Sequence, residues 1–237
     1  MPTDEATLRK EYERRLGHYK ELETEVKFIL EGALKKAGIQ YHLVASRIKT
    51  FESFLTKVQR LEATRPDLNP FEETNDICGI RVIALFLSDL KRIRQLFAGS
   101  LDIVEVEDKV QDTPPEFFGY MAVHLIARIP SRFVGPRYDA LKNLKCEIQV
   151  RTITMDAWAS VSHYLDYKSP IAVPSELRKD FYGLSGMFYV ADTHFEMFFR
   201  EREKALDLIA AKASTETRLL GAETNLDTLT AFLGEWF

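Results

Sequence analysis

In Cys146-Glu147-Ile148-Gln149-Val150-Arg151-Thr152 the first six residues alternate between apolar and polar. The two-residue period of a strand puts Glu147, Gln149 and Arg151 on one face and Cys146, Ile148 and Val150 on the other. A carboxylate, an amide and a guanidinium in a row make either a solvated sheet face or a reaction site. Three further clusters carry compatible chemistry. Ser46-Arg47-Ile48-Lys49, with Ser53 and Lys57, gathers three cations around a strand–helix junction, and Ser53 and Lys57 stand four residues apart on one helical face. Such a group suits a polyphosphate, and it equally suits a solvated basic face. Asn75-Asp76-Ile77-Cys78-Gly79-Ile80-Arg81 leads into the most apolar strand of the chain. An aspartate at that mouth suits Mg²⁺, a hard cation that takes one or two carboxylates plus phosphate oxygens, or else caps a turn with glycine at a tight bend. In Phe118-Gly119-Tyr120-Met121-Ala122-Val123-His124, Gly119 permits a turn and Tyr120 offers a ring to stack on a flat base. A histidine such as His124 is more often a core residue than a catalytic one. Together the clusters supply what phosphoryl transfer asks of a protein: a clamp for donor phosphates, two metal carboxylates and a base platform.

The elements that must hold these residues follow from periodicity. Leu8, Tyr12, Leu16, Tyr19, Val26, Leu30 and Leu34 recur every three or four positions, predicting one long amphipathic helix from Thr3 to Lys36 with Gly38 as its stop. A strand over Tyr41–Thr50 and a helix over Phe51–Glu62 come next, closed by a loop rich in Pro, Asn and Asp. Strands are expected at Ile80–Leu87, Ile103–Val106, Ala122–Ile129 and Lys145–Thr152, with a helix of about ten residues from Asp89 crossing between the first two. Helix resumes after Thr152 through Lys168, breaks at Pro170 and Pro174, and starts again at Ser175. There Leu177, Phe181, Leu184, Phe188, Ala191, Phe195 and Phe199 form an apolar stripe that is either core or subunit interface, so a homo-oligomer is one expectation. The last 25 residues are weakly patterned. The order of elements implies an α+β fold, a mixed sheet of about five strands flanked by helices. The expected organisation is an N-terminal helix (1–40), a core (41–170) and a C-terminal helical extension (171–237).

Composition narrows the class without naming a substrate. A chain of 237 residues with 46% apolar residues and 16 Phe fills one main core. The formal charge of −4 makes no strong field for polyanions. Cys78 and Cys146 lack metal-ligand spacing and sit in apolar runs, which predicts buried inert thiols. No leader-like or membrane-spanning segment is evident, so a soluble cytoplasmic protein is expected.

SRIKTFESFLTK, NDICGIR, FGYMAVH, EIQVRT and AWASVSHYLDYK occur in the order and approximate spacing of a known family. Over residues 46–168 the chain resembles the RelA/SpoT-type (p)ppGpp synthetases, particularly the small alarmone synthetases and their toxin relatives. The resemblance implies a nucleotidyltransferase-like synthetase fold and transfer of pyrophosphate from ATP to a nucleotide 3′-hydroxyl. It implies that Arg47 and Arg81 sandwich the adenine of ATP while Lys49, Ser53 and Lys57 hold its phosphates. Asp76 and Glu147 would bind Mg²⁺, with Glu147 also orienting or deprotonating the acceptor hydroxyl. Tyr120 would stack on the acceptor base, and His124, Gln149 and Asp156 would line the acceptor side.

Two departures bear on the acceptor. Relatives that bind guanosine nucleotides usually carry a lysine shortly before the Gly-Tyr pair and an arginine just after it; this chain has Pro114-Pro115-Glu116-Phe117-Phe118 and Met121. Asp156 stands where small synthetases often have asparagine. The leading expectation is a (p)ppGpp synthetase acting on GTP or GDP. The second is a toxin that pyrophosphorylates the 3′ end of tRNA and requires an antitoxin, for which Arg9, Lys10, Arg14, Arg15 and Lys20 offer a phosphate-contacting face or an ordinary solvated one. The third is a non-catalytic nucleotide-binding regulator, against which the pair Asp76 and Glu147 argues. No His-Asp dipeptide of the family's metal hydrolase occurs, so synthesis without degradation is expected.

Overall fold

The computed structural model describes residues 4–112, 122–167 and 173–213. Helix α1 spans Glu5–Lys36 and begins where the Asp4 carboxylate accepts the Thr7 amide at 3.0 Å. Its end is a Schellman turn: Gly38 takes φ +66°, Gly38 N–H bonds to the Lys35 carbonyl, and Ile39 N–H bonds to that of Leu34. Leu8, Tyr12, Tyr19, Leu22, Val26, Leu30 and Leu34 form the buried stripe, which adds Leu22 to the face read from periodicity and leaves Leu16 at its margin.

Strand β1 (Tyr41–Ile48) and helix α2 (Phe51–Glu62) follow, the helix capped by Thr50. The polar loop after α2 contains a short helix α3, Pro70–Glu73, started by Asn69 and by proline in the first turn. It drives Phe71 against Phe54 with ring centroids 5.0 Å apart. Then come β2 (Cys78–Ala84), α4 (Leu87–Ser100), β3 (Asp102–Asp108), the short α5 (Lys109–Asp112), β4 (Val123–Arg128), β5 (Cys146–Thr152) and α6 (Ile153–Ser162). A π-helical turn over His163–Tyr167 extends α6, and a 3₁₀ turn at Ser175–Leu177 leads into α7, Arg178–Ala213.

The five strands lie in the order β1-β2-β5-β4-β3, with β2 and β5 parallel and every other pair antiparallel. The expected mixed α+β sheet is therefore present, with its parallel pair at the centre. One face carries Val44, Cys78, Ile80, Val82, Leu125, Ala127, Cys146, Ile148 and Val150, all buried, and α1 and α4 pack on it. The apolar run predicted as a strand to Leu87 turns helical three residues after Ala84. Leu85-Phe86-Leu87 continues the run without a break, and Phe86 gives the helix no side-chain cap, so nothing local marks the change.

By compactness the chain divides into two units, Met1–Tyr189 and Val190–Phe237. In the first, Phe181 is buried against Trp158 at 4.7 Å and Phe188 lies 6.3 Å from the same indole, whereas Leu177 and Leu184 of the expected stripe are exposed. In the second, the described part of α7 carries the pair Arg200–Glu196 at 2.6 Å, in which the arginine is exposed and the glutamate buried. Among the described residues no helix is long and apolar enough to cross a membrane.

Cys78 and Cys146 face each other across the parallel pair and are fully buried. Burial pushes the Cys78 thiol well above its ordinary value and that of Cys146 up to about 12. Neither thiol of the folded protein is expected to react with Ellman's reagent at mildly alkaline pH, and both should react once guanidinium unfolds it. A thiol that reacts rapidly in the native protein would contradict this core.

Candidate active site

The second face of the sheet is polar because the period-two alternation runs in register across it. Arg47 on β1 pairs with Gly79 on β2, which pairs with Glu147 on β5. The next row is Ala45, Arg81, Gln149, His124 and Glu107. The β1, β2 and β5 part of this face walls a cavity of about 190 Å³ lined by Arg47, Asp76, Gly79, Arg81, Glu147 and Gln149 with Ala45, Ser46 and Ile80. Gly79 is not in a bend. It lies in β2, where a Cβ would sit 3.8 Å from the Arg47 side chain, so its bare backbone keeps the floor between Arg47 and Arg81 low.

A larger cavity of about 590 Å³ adjoins along α2 and shares Arg47 and Asp76 with the first. Lys49, Thr50, Ser53, Thr56, Lys57 and Arg60 line it, with Ile48 and with His163 from the π-helical turn. Three sequence-predicted phosphate ligands, Lys49, Ser53 and Lys57, are thereby brought together. Lys49 is further anchored through its backbone: its amide donates to Ile77 O at 2.8 Å, and its carbonyl accepts the hydroxyl of Tyr12 on α1.

Asp76 stands where the cavities meet. Lys49 Nζ lies 2.6 Å from its Oδ2 and Lys57 Nζ 2.8 Å from its Oδ1. Burial, the strongest single influence, acts to raise the carboxyl's pKa; the hydrogen bonds and charges of the two lysines outweigh it, and the group lies below its ordinary value. Glu147 is similarly held. Its Oε2 accepts from Gln149 Nε2 at 2.8 Å, and His124 Nδ1 lies 3.5 Å from its Oε1. Burial pushes it up and the Asp76 charge adds to that push, but His124 and the Gln149 amide together keep it below the usual carboxylate range.

Arg81 reaches Asp156 Oδ1 at 3.0 Å, and the same oxygen accepts from Arg151 Nη1 at 3.3 Å. Asp156 thus neutralises the arginine side of the smaller cavity. Tyr120 lies outside the described residues. Cavity residues not singled out from sequence are Thr50, Thr56, Arg60 and His163. Arg60 follows Lys57 by three on α2, so helical spacing could have found it. His163 has no local signal, since it meets α2 only through the fold.

A magnesium ion fits the donor set. Two carboxylates line one cavity, the ion accepts one or two such ligands and takes its remaining oxygens from phosphate and water, and the adjoining cavity is cationic enough for phosphate. Among the described residues there is no trio of acidic, histidine or cysteine side chains that would hold a metal unaided.

On α1 the basic residues are largely compensated. Arg9 pairs with Glu5 and Glu52 and lies over the Phe51 ring, while Arg14 and Arg15 both bond Glu11 at 2.6 Å.

Residues 46–172 match the family described as the region found in RelA/SpoT proteins. The chain is 37% identical over 136 residues to the GTP pyrophosphokinase YwaC of Bacillus subtilis, a match covering 56% of this chain and 61% of that protein's length. It is 27% identical over 176 residues to the GTP pyrophosphokinase YjbM of the same organism, covering 71% and 79% respectively. The small alarmone synthetase 1 of Bacillus subtilis, solved bound to its product pppGpp, superposes with a TM-score of 0.66 at 25% identity, over 81% of this chain and 98% of that one. The family match takes in both carboxylates and every cation of the two cavities, and on it the chain belongs to the RelA/SpoT family.

Proposed function

We propose that this chain is a pyrophosphokinase that moves the β,γ-pyrophosphate of ATP onto the 3′-hydroxyl of GTP or GDP. The observation that carries the reading is the junction of the two cavities: Asp76 and Arg47 line both, Glu147 lines the smaller, and Lys49, Lys57 and Arg60 line the larger. A polyphosphate donor needs cations along its length, and the reacting centre needs carboxylates at one end of that row. Relatives named GTP pyrophosphokinases support guanosine nucleotides as the acceptor.

In this reading Arg47 and Arg81 hold the donor base across the low floor at Gly79, and Lys49, Ser53, Lys57 and Arg60 hold its phosphates. Asp76 and Glu147 would hold Mg²⁺, which supplies neutralisation of the charge on the polyphosphate. Glu147, lowered in pKa and thus ionised at neutral pH, takes the proton of the acceptor 3′-hydroxyl. The new bond joins that oxygen to the β-phosphorus, the bond from the β-phosphorus to the α-phosphate oxygen breaks, and AMP leaves. Positioning and charge neutralisation carry the catalysis without a covalent intermediate. His124 and Gln149 extend the face beyond Glu147 toward the acceptor, and Tyr120 is proposed to stack on its base.

The test offers purified protein ATP labelled at the β-phosphate, with Mg²⁺ and GDP, GTP, ATP or deacylated tRNA as separate acceptors. Label on GDP or GTP with equimolar AMP is expected. Label on tRNA alone would make the chain a translation toxin, and no transfer to any acceptor would leave a nucleotide-binding protein; either result overturns the reading.

A further inference from the structure

The alternation of β5 puts Arg151 on the face that carries Gln149 and Glu147, yet its guanidinium lines neither cavity and is only 4% exposed. Its Nη2 donates to Gln149 Oε1 at 2.7 Å, and Gln149 Nε2 donates to Glu147 Oε2 at 2.8 Å. We propose that Arg151 is a positioning residue: it fixes the Gln149 amide in one of its two orientations and so keeps a hydrogen-bond donor against the reactive oxygen pair of Glu147. This rests on the pyrophosphokinase reading for its consequence in catalysis, though not for the geometry itself.

The logic is one of donors and acceptors. A side-chain amide offers oxygen on one side and NH₂ on the other, in nearly the same shape, and the two orientations interconvert by a flip. A guanidinium has donors only, so it accepts the amide oxygen as a neighbour and rejects the NH₂. A carboxylate has acceptors only and imposes the opposite demand. Gln149 lies between one of each, and the flipped amide would set N–H against N–H on one side and oxygen against oxygen on the other. Without Arg151, Gln149 Oε1 loses the donor that holds it on that side. The burial that such a cation suffers is offset in part by Asp156, whose Oδ1 accepts from Nη1 at 3.3 Å. Because Asp156 also pairs with Arg81 at 3.0 Å, one buried guanidinium ties the arginine wall of the cavity to the carboxylate that faces it. A lysine is a poor substitute, since its three donors radiate from one nitrogen and lack the rigid planar spread that sets Nη1 on Asp156 and Nη2 on Gln149.

The experiment compares wild type, Arg151→Met, Gln149→Met and the double variant. In ¹⁵N spectra the Gln149 side-chain NH₂ signal, identified by its loss in Gln149→Met, should exchange slowly with solvent in wild type and on the order of tenfold faster in Arg151→Met. In single-turnover transfer, Arg151→Met should lose roughly 10- to 100-fold in rate with donor affinity little changed, and should lose almost nothing further in the Gln149→Met background. Equal losses in both backgrounds, or an unchanged Gln149 signal, would overturn the proposal. If Arg151→Met does not fold, Arg151→Lys keeps the charge for Asp156 and should show the same accelerated exchange at Gln149; a protected signal there likewise overturns it. A wild-type protein without any transfer would refute the enzymatic reading, while the Gln149 signal would still decide the role of Arg151.

Discussion

Replacing Glu147 by glutamine should lower pyrophosphoryl transfer by roughly 10²- to 10⁴-fold, the usual worth of a positioned general base, and leave the donor bound nearly as well as before. The substitution is close to isosteric, and the new amide oxygen can still accept from Gln149 Nε2, which now bonds Glu147 at 2.8 Å. What disappears is the charge and with it the capacity to take a proton. On the proposed function the donor's phosphates are held elsewhere, by Lys49, Lys57 and Arg60 in the larger cavity, which Glu147 does not line. The folded state loses the His124 and Gln149 interactions that favour the ionised carboxylate, but the neutral amide also escapes the burial penalty, so the net cost in stability is expected to be small. Single-turnover rates with labelled ATP, set beside calorimetric titration with a non-hydrolysable ATP analogue, separate the two effects. A variant that transfers at the wild-type rate would remove Glu147 from the chemistry, and one that loses donor binding by the same factor would make it a ligand of the donor alone.

How far the sequence foretold this site depends on the range over which each residue acts. The alternation in β5 identified the face of Glu147 and Gln149, because period two is a property of seven adjacent residues. Helical spacing paired Ser53 with Lys57 for the same reason, and both line one cavity. The relation of Asp76 to the lysines was not legible: it sits 27 residues from Lys49 and 19 from Lys57, and only the antiparallel closing of β1 on β2 brings them within bonding distance. Asp156 shows the same limitation. From sequence it belongs to the acceptor side by resemblance, while in the fold its carboxylate is engaged by Arg81 and Arg151. Among the elements, α2 was bounded correctly because Thr50 caps it and Phe51, Phe54 and Val58 mark its buried face. The beginning of α4 and the whole of α3 were missed, the first hidden in a continuous apolar run and the second in a polar loop where a four-residue helix leaves no periodicity to detect.

Lys57→Met should move two affinities in opposite directions. In the folded chain each oxygen of Asp76 is already taken, Oδ2 by Lys49 at 2.6 Å and Oδ1 by Lys57 at 2.8 Å. A divalent cation that approaches without nucleotide must displace an ammonium from a carboxylate that is mostly buried. An arriving polyphosphate offers both lysines more negative partners and so releases Asp76 to a metal. On the proposed function metal and donor should therefore bind cooperatively, and linkage makes the coupling reciprocal. Removing the Lys57 ammonium frees Oδ1 and deprives the donor of one charge-assisted bond, worth about 1.5–3 kcal/mol or roughly 10- to 100-fold in affinity. Binding of Mn²⁺ alone should strengthen, binding of the metal-free ATP analogue should weaken, and the cooperativity between them should shrink. The pairing also sets the pH range of the effect. The folded-state pKa of Asp76 is lowered, so the carboxylate stays ionised and paired throughout the neutral and mildly acidic range, and the stabilisation that this pairing contributes is lost only as pH falls through that lowered value. Titration calorimetry with Mn²⁺, with and without the analogue, at neutral pH reads all three quantities. If the variant binds Mn²⁺ no more tightly than wild type, or loses metal and nucleotide together, the lysines are not what holds Asp76 from the metal.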